Sequence, residues 1–273
     1  MNADFSELSQ KEIIEKTKEF LRDNFLNKFP QIKDQVALII VGSIASNDYD
    51  KYSDVDVNVL LPEEIDNKPL VEYKEKLRKE GSKLELRFAR NYEVLEKYLN
   101  WNDDFILGEY QNSIVLQDPT KRFTNLIKRF EWYPSEVFQN KLDWLFHEIT
   151  YSVRQELESL LKRGDTSQFY VLVIKDKLIR YFLTAIRLLN NKYPVHDKRL
   201  YTTTVQQCPK DFGIVNHMDA LIQTNDRQGI YKTSEEARTK LENELISSNL
   251  LIRQDIEYWL RYQTKNKNKI LFD

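Results

Sequence analysis

Two short apolar runs, separated by a Gly-Ser turn and a polar loop, set the limits on what this chain can fold into. Val36-Ala-Leu-Ile-Ile-Val41 is too short for a typical helix and rich in β-branched residues, so it predicts a buried strand that Gly42 ends. Val55-Asp-Val-Asn-Val-Leu-Leu61 alternates: Val55, Val57 and Val59 share one face, Asp56 and Asn58 the other, and Pro62 breaks the run. Lys83-Leu-Glu-Leu-Arg-Phe-Ala89 alternates again, with Leu84, Leu86 and Phe88 opposite Glu85 and Arg87. Ser113 to Gln117, closed by Asp118-Pro119, predicts a further strand. Helices interrupt these strands. Ser9 with Glu12 has capping-box spacing and opens a helix that stops before Pro30, and a charged helix spans about Leu70 to Lys79.

Beyond residue 130 the strand pattern gives way to long helical ones. Ser135 opens a helix with Phe138, Leu142, Leu145, Ile149 and Val153 on its apolar face, stopped by Gly164. Asp165 with Gln168 resembles the next start, leading to Phe169 through Asn190. Thr233 with Glu236 repeats the capping box before a last helix from about Glu235 to Tyr262. The expected architecture is therefore α+β: a mixed sheet with helices in a domain over 1–130, then an α-helical bundle over 131–273. No Gly-, Pro- or Ser-rich linker separates the two, no internal repeat occurs, and Lys265-Asn-Lys-Asn-Lys269 reads as a solvated tail.

Composition excludes several function classes. Among 273 residues, 43 acidic against 41 basic leave a net charge of −2, so nothing global attracts nucleic acid or anionic membrane. The single Cys208 cannot form an intrachain disulfide, and His147, His196 and His217 lie too far apart for a sequence-local zinc motif. A reducing, cytoplasmic setting is the expectation. No run approaches the ~20 apolar residues of a membrane span, and the acidic start lacks the pattern of a signal peptide.

The stretch from Val41 to Val57 carries the chemistry. A strand ends at Gly42, Ser43 opens a short helix, ten residues intervene, and Asp54 and Asp56 start the next strand. Residues two apart on a strand project from one face, at ~6 to 7 Å along the chain. Two carboxylates so placed suit magnesium, which takes a few hard oxygen ligands completed by water and substrate phosphate. Gly42 lets backbone approach a phosphate, and Ser43 offers a hydroxyl and an N–H. Taken singly, each feature has a plain structural role: a common turn, a surface Asp, an edge-strand charge. Lys51 and Ser53 shape the loop, and Ser53 is placed to touch a phosphate as well.

This combination resembles the nucleotidyltransferase superfamily typified by DNA polymerase beta, whose signature is Gly-Ser, a spacer of about ten residues and Asp-x-Asp on a strand. It is closest in character to small bacterial two-domain enzymes, including the aminoglycoside and lincosamide antibiotic-resistance nucleotidyltransferases. The resemblance is tight over residues 41–57 and general in the helical half. It implies a magnesium-dependent transfer of a nucleoside monophosphate, with AMP from ATP expected, onto a hydroxyl of a small acceptor, with pyrophosphate released. It also implies two Mg2+ ions held by Asp54, Asp56 and a third carboxylate from a later strand. Glu85 is the candidate and Asp118 the second choice, while Glu85 with Arg87 is equally describable as a solvent-facing ion pair. Alternative readings are nucleotidylation of a protein or tRNA partner, and a non-catalytic nucleotide-binding regulator. The near-neutral helical half disfavours RNA.

In that half, a helical wheel places Asp176, Lys177, Arg180, Thr184 and Arg187 on one stripe, with Leu178, Phe182, Ala185, Ile186 and Leu189 on the other side. Read as a solvated face, the stripe is an i,i+4 pair of Asp176 and Arg180 and little more. Read as a cleft wall, it makes Arg180, Arg187 and Lys198 triphosphate ligands and puts Asp176 near the acceptor. Glu148 and His147 are further acid or base candidates. Trp101, Trp132 and Trp144 could stack on a base, with packing as the alternative.

Overall fold

The computed structural model describes residues 7–88, 91–101, 103–163 and 168–250. The chain divides into two compact units, Met1–Trp132 and Tyr133–Asp273.

The first unit begins with α1 (Gln10–Phe20), whose capping box is complete. The Ser9 side chain accepts from the Glu12 N–H, and Glu12 Oε2 accepts from the Ser9 N–H at 2.8 Å. After a wider π-helical turn, Leu21–Leu26, and a 3-10 turn, Pro30–Ile32, the chain enters β1 (Ala37–Val41). A single turn of helix follows, α2 (Gly42–Ala45), and then β2 (Val55–Leu60), α3 (Lys68–Lys79) and β3 (Leu84–Arg87). The unit closes with α4 (Tyr92–Tyr98), α5 (Asp104–Gln111), β4 (Ile114–Gln117) and α6 (Arg122–Lys128).

The four strands form one mixed sheet in the order β3-β2-β1-β4. β1 is antiparallel to both β2 and β4, with a register shift against β4 between Leu38 and Ile39, whereas β2 and β3 run parallel. Alternation decides the faces. Leu38, Ile40, Val55, Val57, Val59, Leu84 and Leu86 enter one buried cluster with Ile13, Phe25, Phe29, Leu70 and Tyr73 from the helical segments. Asp56, Asn58, Glu85 and Arg87 consequently occupy the opposite face, half-buried. β1 is buried along its whole length, which accounts for its unbroken apolar run.

The second unit is all helical in its described residues. It comprises α7 (Ser135–Tyr151), which runs through a π-helical stretch, Ser152–Leu157, into α8 (Glu158–Arg163), followed by α9 (Gln168–Leu189), α10 (Asp197–Gln207), α11 (Val215–Gln223) and α12 (Arg227–Ser247). α9 is the central helix and packs against α7, α10, α11 and α12. The α+β class expected from the pattern is the class observed.

One helix start differs from expectation. α12 begins at Arg227 because the Asp226 side chain accepts from the Gly229 N–H at 2.7 Å, so Thr233 and Glu236 lie inside the helix instead of opening it. The last helix, expected to run to Tyr262, ends instead at Ser247: Asn249 takes a φ of +55° and the Leu250 N–H returns to the Leu245 carbonyl at 2.8 Å, which turns the chain out of the helix. The predicted stop at Gly164, the start at Asp165 and the tail over 265–269 fall outside the described residues.

Candidate active site

The site gathers at one end of the sheet because β1 and β2 are antiparallel: Val41, the last residue of β1, pairs with Asp56. Gly42 therefore turns the chain directly beside the Asp56 side chain. Its φ is +74°, the left-handed region where only glycine is unstrained, and a Cβ added there would lie 2.8 Å from Asp56 Oδ2. Two requirements thus converge on Gly42. The next residue, Ser43, is nearly buried, and its carbonyl accepts from the Asp48 N–H at 2.9 Å, which closes the turn into the loop.

The parallel register of β2 and β3 pairs Asp56 with Glu85, so two carboxylates distant in sequence become neighbours on the polar face. Arg87, two residues on, bridges them: its Nη2 lies 2.8 Å from Asp56 Oδ1 and 3.8 Å from Glu85 Oε2. Burial pushes the Asp56 carboxyl up to about 6. Arg87 opposes that shift, while Glu85 and Asp54 add to it. Asp54 sits just before β2 and is exposed. Lys74 approaches Glu85 at 4.0 Å, and Arg87 Nη1 is 4.0 Å from Glu109 of α5. Beside this group is a cavity of about 300 Å³ lined by Asn58, Lys74, Glu85, Arg87, Phe88 and Glu109, among others. Asn58 donates to the Tyr110 hydroxyl at 3.0 Å, which fastens α5 to the polar face of β2.

A model of the nucleotidyltransferase domain family matches residues 14–163, more than half of the chain. The chain belongs to this nucleotidyltransferase family. The solved structure of a nucleotidyltransferase-like protein from Exiguobacterium sibiricum 255-15 is similar at 11% sequence identity, over 92% of this chain and 81% of that one, with a TM-score of 0.46. No curated protein matches the chain.

For a nucleotidyltransferase, the donors at this site suit a hard divalent cation: they are carboxylate oxygens, and their negative charge is concentrated at Asp56 and Glu85. Among the described residues, however, no group of three or more His, Cys, Asp or Glu side chains is arranged to hold a metal ion as it stands. Arg87 is the physical reason we see for the pair. A guanidinium sits against both carboxylates and supplies the positive charge they need.

Asp118 does not join the site. Gln117 pairs with Leu38, so Asp118 follows at the far end of β1 from Gly42. There its Oδ2 accepts from the Thr124 N–H at 2.8 Å and from the Thr124 hydroxyl at 2.7 Å, holding the first turn of α6. Ser53 is a loop organiser: its hydroxyl accepts from the Asp50 N–H at 2.9 Å and donates to Asp50 Oδ1 at 3.1 Å. Lys83 Nζ donates to the Lys51 carbonyl at 2.7 Å and ties the same loop to the approach of β3.

The stripe expected on α9 does not exist as one face. Asp176 is exposed and pairs with Arg180 at 2.6 Å, and Arg180 also reaches Asp197 at 3.0 Å. Lys177 lies 3.3 Å from Glu148 and 3.4 Å from Glu156. Arg187, by contrast, is fully buried. Its Nε donates to the Tyr193 carbonyl at 2.8 Å and its Nη1 to the Thr203 hydroxyl at 3.2 Å, and burial pulls the guanidinium down to about 10. The wheel assumed one solvated side along α9, but the loop after it and α10 cover its C-terminal half. Arg187 is thus a buried fastener in this fold, not a surface cation. Lys198 is exposed in the first turn of α10. His147 is half-buried, which pulls its pKa down, and its ring stacks near Tyr151. Trp101 packs on Phe130 at 4.7 Å and Trp144 on Tyr181 at 5.7 Å between ring centroids.

Glu109 and Tyr110 are the site neighbours that sequence reading passed over. Their helix, α5, carries Asp103 as an N-cap that accepts from the Ile106 N–H, a signal present in the sequence before the apolar Phe105-Ile-Leu107.

Proposed function

We propose that the chain transfers a nucleoside monophosphate from a nucleoside triphosphate, ATP in the first instance, onto a hydroxyl of a small molecule, with pyrophosphate leaving. The observation that carries the reading is the Gly42 turn set against Asp56, with Glu85 paired beside it on the neighbouring strand. Family membership supplies the reaction class.

Asp54, Asp56 and Glu85 are the residues that would hold Mg2+, two ions in the full arrangement. Bound there, the metal supplies a lowered pKa for the attacking hydroxyl and neutralises charge on the phosphates. The chain's own residues do the rest. Gly42 lets the triphosphate come up to backbone without a side chain in the way, and Ser43 offers its hydroxyl and N–H beside it. Asp56, half-buried, is held in place by β2, so a metal ligand there would be presented from a rigid element. Ser53 and Asp50 fix the loop between Gly42 and Asp54. An acceptor related to aminoglycosides or lincosamides is the expectation from the resemblance; in the helical unit the reading assigns Arg180 and Lys198 to the triphosphate and Asp176 and Glu148 to the acceptor.

The test is an intact-mass screen of hydroxyl-bearing small molecules incubated with each NTP and magnesium. A gain of one nucleoside monophosphate on an acceptor supports the reading. Nucleotide hydrolysis without any adduct, across acceptors and NTPs, contradicts it.

A further inference from the structure

We infer that the groove between α3 and the chain over 20–28 is a binding site for a small organic monocarboxylate with an apolar body. The site stands apart from the one at Asp56. Tyr73 and Leu77, which form its floor, enter the buried cluster with Val55, Val57 and Leu84, on the face of the sheet opposite Asp56 and Glu85.

A cavity of about 360 Å³ lies there, near the lower end of the range for small-molecule sites. Two groups that line it have chemistry left unused. Tyr73 is only 8% exposed, yet its hydroxyl makes no hydrogen bond to any described residue. A buried hydroxyl in that state costs free energy that an acceptor on a ligand would recover. Burial, and then the charge of Glu80, raise the Tyr73 pKa, so the hydroxyl keeps its proton and serves as a donor. Lys28 is the second group. Among the described residues no carboxylate lies within ion-pair reach of it, and its Nζ sits instead 4.6 Å from the centre of the Tyr73 ring and 5.7 Å from that of Phe29. The cation–π contact holds the ammonium over the same ring that carries the unbonded hydroxyl, so both donors can serve one anion. Charge limits that anion to a single negative. Lys76 lies 3.6 Å from Glu80, one turn on in α3, which leaves Lys28 as the net positive charge of the groove. A dianion would face Glu80 with that one charge to balance it. Phe20 and Leu77 supply the apolar wall for the rest of the ligand.

The measurement is fluorine NMR of para-fluorobenzoate titrated with the full chain, without metal or nucleotide. Line broadening should report binding with a Kd on the order of 1 mM, as expected for a ligand of roughly ten heavy atoms. Lys28→Gln should weaken binding about ten-fold, and Tyr73→Phe, which keeps the ring and removes the hydroxyl, about three-fold. Lys68→Gln, an exposed change at the opposite end of α3, should leave it unchanged. Absence of broadening, or undiminished binding in Lys28→Gln or Tyr73→Phe, overturns the proposal. An equal loss in Lys68→Gln overturns the location. Should Tyr73→Phe not fold, Lys28→Gln, an exposed position, decides alone. Two further probes test the ligand class. Uncharged para-fluorobenzyl alcohol should bind at least ten-fold more weakly, and equal affinity overturns the role of the anion. Tighter binding of para-fluorophenyl phosphate than of para-fluorobenzoate, lost in Lys28→Gln, would make this a phosphate site and overturn the carboxylate assignment.

Discussion

A Cβ on Gly42 would stand 2.8 Å from Asp56 Oδ2, closer than real Cβ atoms come to oxygen, so the turn after β1 and the carboxylate on β2 are fitted to each other. Gly42→Ala should therefore keep the fold but lower thermal stability, since the left-handed φ alone costs about 1–2 kcal/mol for an L side chain. Calorimetric titration with a non-hydrolysable NTP should show a larger loss of affinity for Gly42→Ala than for Ser43→Ala, which removes only a hydroxyl. The reverse order would remove Gly42 from the phosphate seat.

Asp56→Asn should separate activity from stability. Losing a charged ligand should lower kcat by on the order of 10³-fold. In metal-free buffer the same change should stabilise the protein at pH 8. The folded-state pKa of Asp56 is raised to about 6, so its stabilising contribution is present below the unfolded value and is lost as pH rises through about 6. The difference in Tm between variant and wild type should consequently grow between pH 4.5 and pH 8, reaching about 2 kcal/mol in stability terms. A difference that shrinks over that range would contradict the assigned environment.

The strands, their faces and the Gly-Ser to Asp-x-Asp spacing were legible in the sequence because alternation and β-branched runs are local signals. Pairing is not local. Nothing in the sequence says that Glu85 sits opposite Asp56, since that depends on a parallel register set by α3 crossing between β2 and β3. Arg187 was misplaced for a related reason. A helical wheel knows one helix, whereas the burial of Arg187 comes from the segment after it folding back. α10, with Thr202, Thr203 and Thr204 in sequence and His196 at its cap, carried too weak a helical pattern to be seen.

The two candidates for a third carboxylate should part company. Glu85→Gln should cut turnover while leaving Tm near wild type, as its side chain is partly exposed and lies beside Asp56. Asp118→Asn should leave turnover unchanged and lower stability by about 1 kcal/mol, because its Oδ2 receives two bonds from Thr124 at the start of α6. Parallel kinetics and thermal melts check both, and a catalytic loss in Asp118→Asn would reverse the assignment.

Arg187→Ala should be a folding mutation. It strips partners from the buried Tyr193 carbonyl and Thr203 hydroxyl and leaves a cavity, for a loss of about 3 kcal/mol. Lysine should not restore it, having no planar fork to reach both acceptors. Arg180→Ala, which breaks partly exposed pairs with Asp176 and Asp197, should cost under about 1 kcal/mol. Urea denaturation of the three variants checks this, and equal losses for Arg187→Ala and Arg180→Ala would refute the distinction.

The most direct test of nucleotidyl transfer at Asp56 and Glu85 is to ask which phosphorus moves. With an acceptor identified by mass, the reaction is run in parallel with ATP labelled at the α- or the γ-phosphate, for wild type and Asp56→Asn. The account predicts α-label on the acceptor and γ-label only in pyrophosphate with wild type, and neither product with Asp56→Asn. Finding γ-label on the acceptor, or α-label transferred at an undiminished rate by Asp56→Asn, would contradict it.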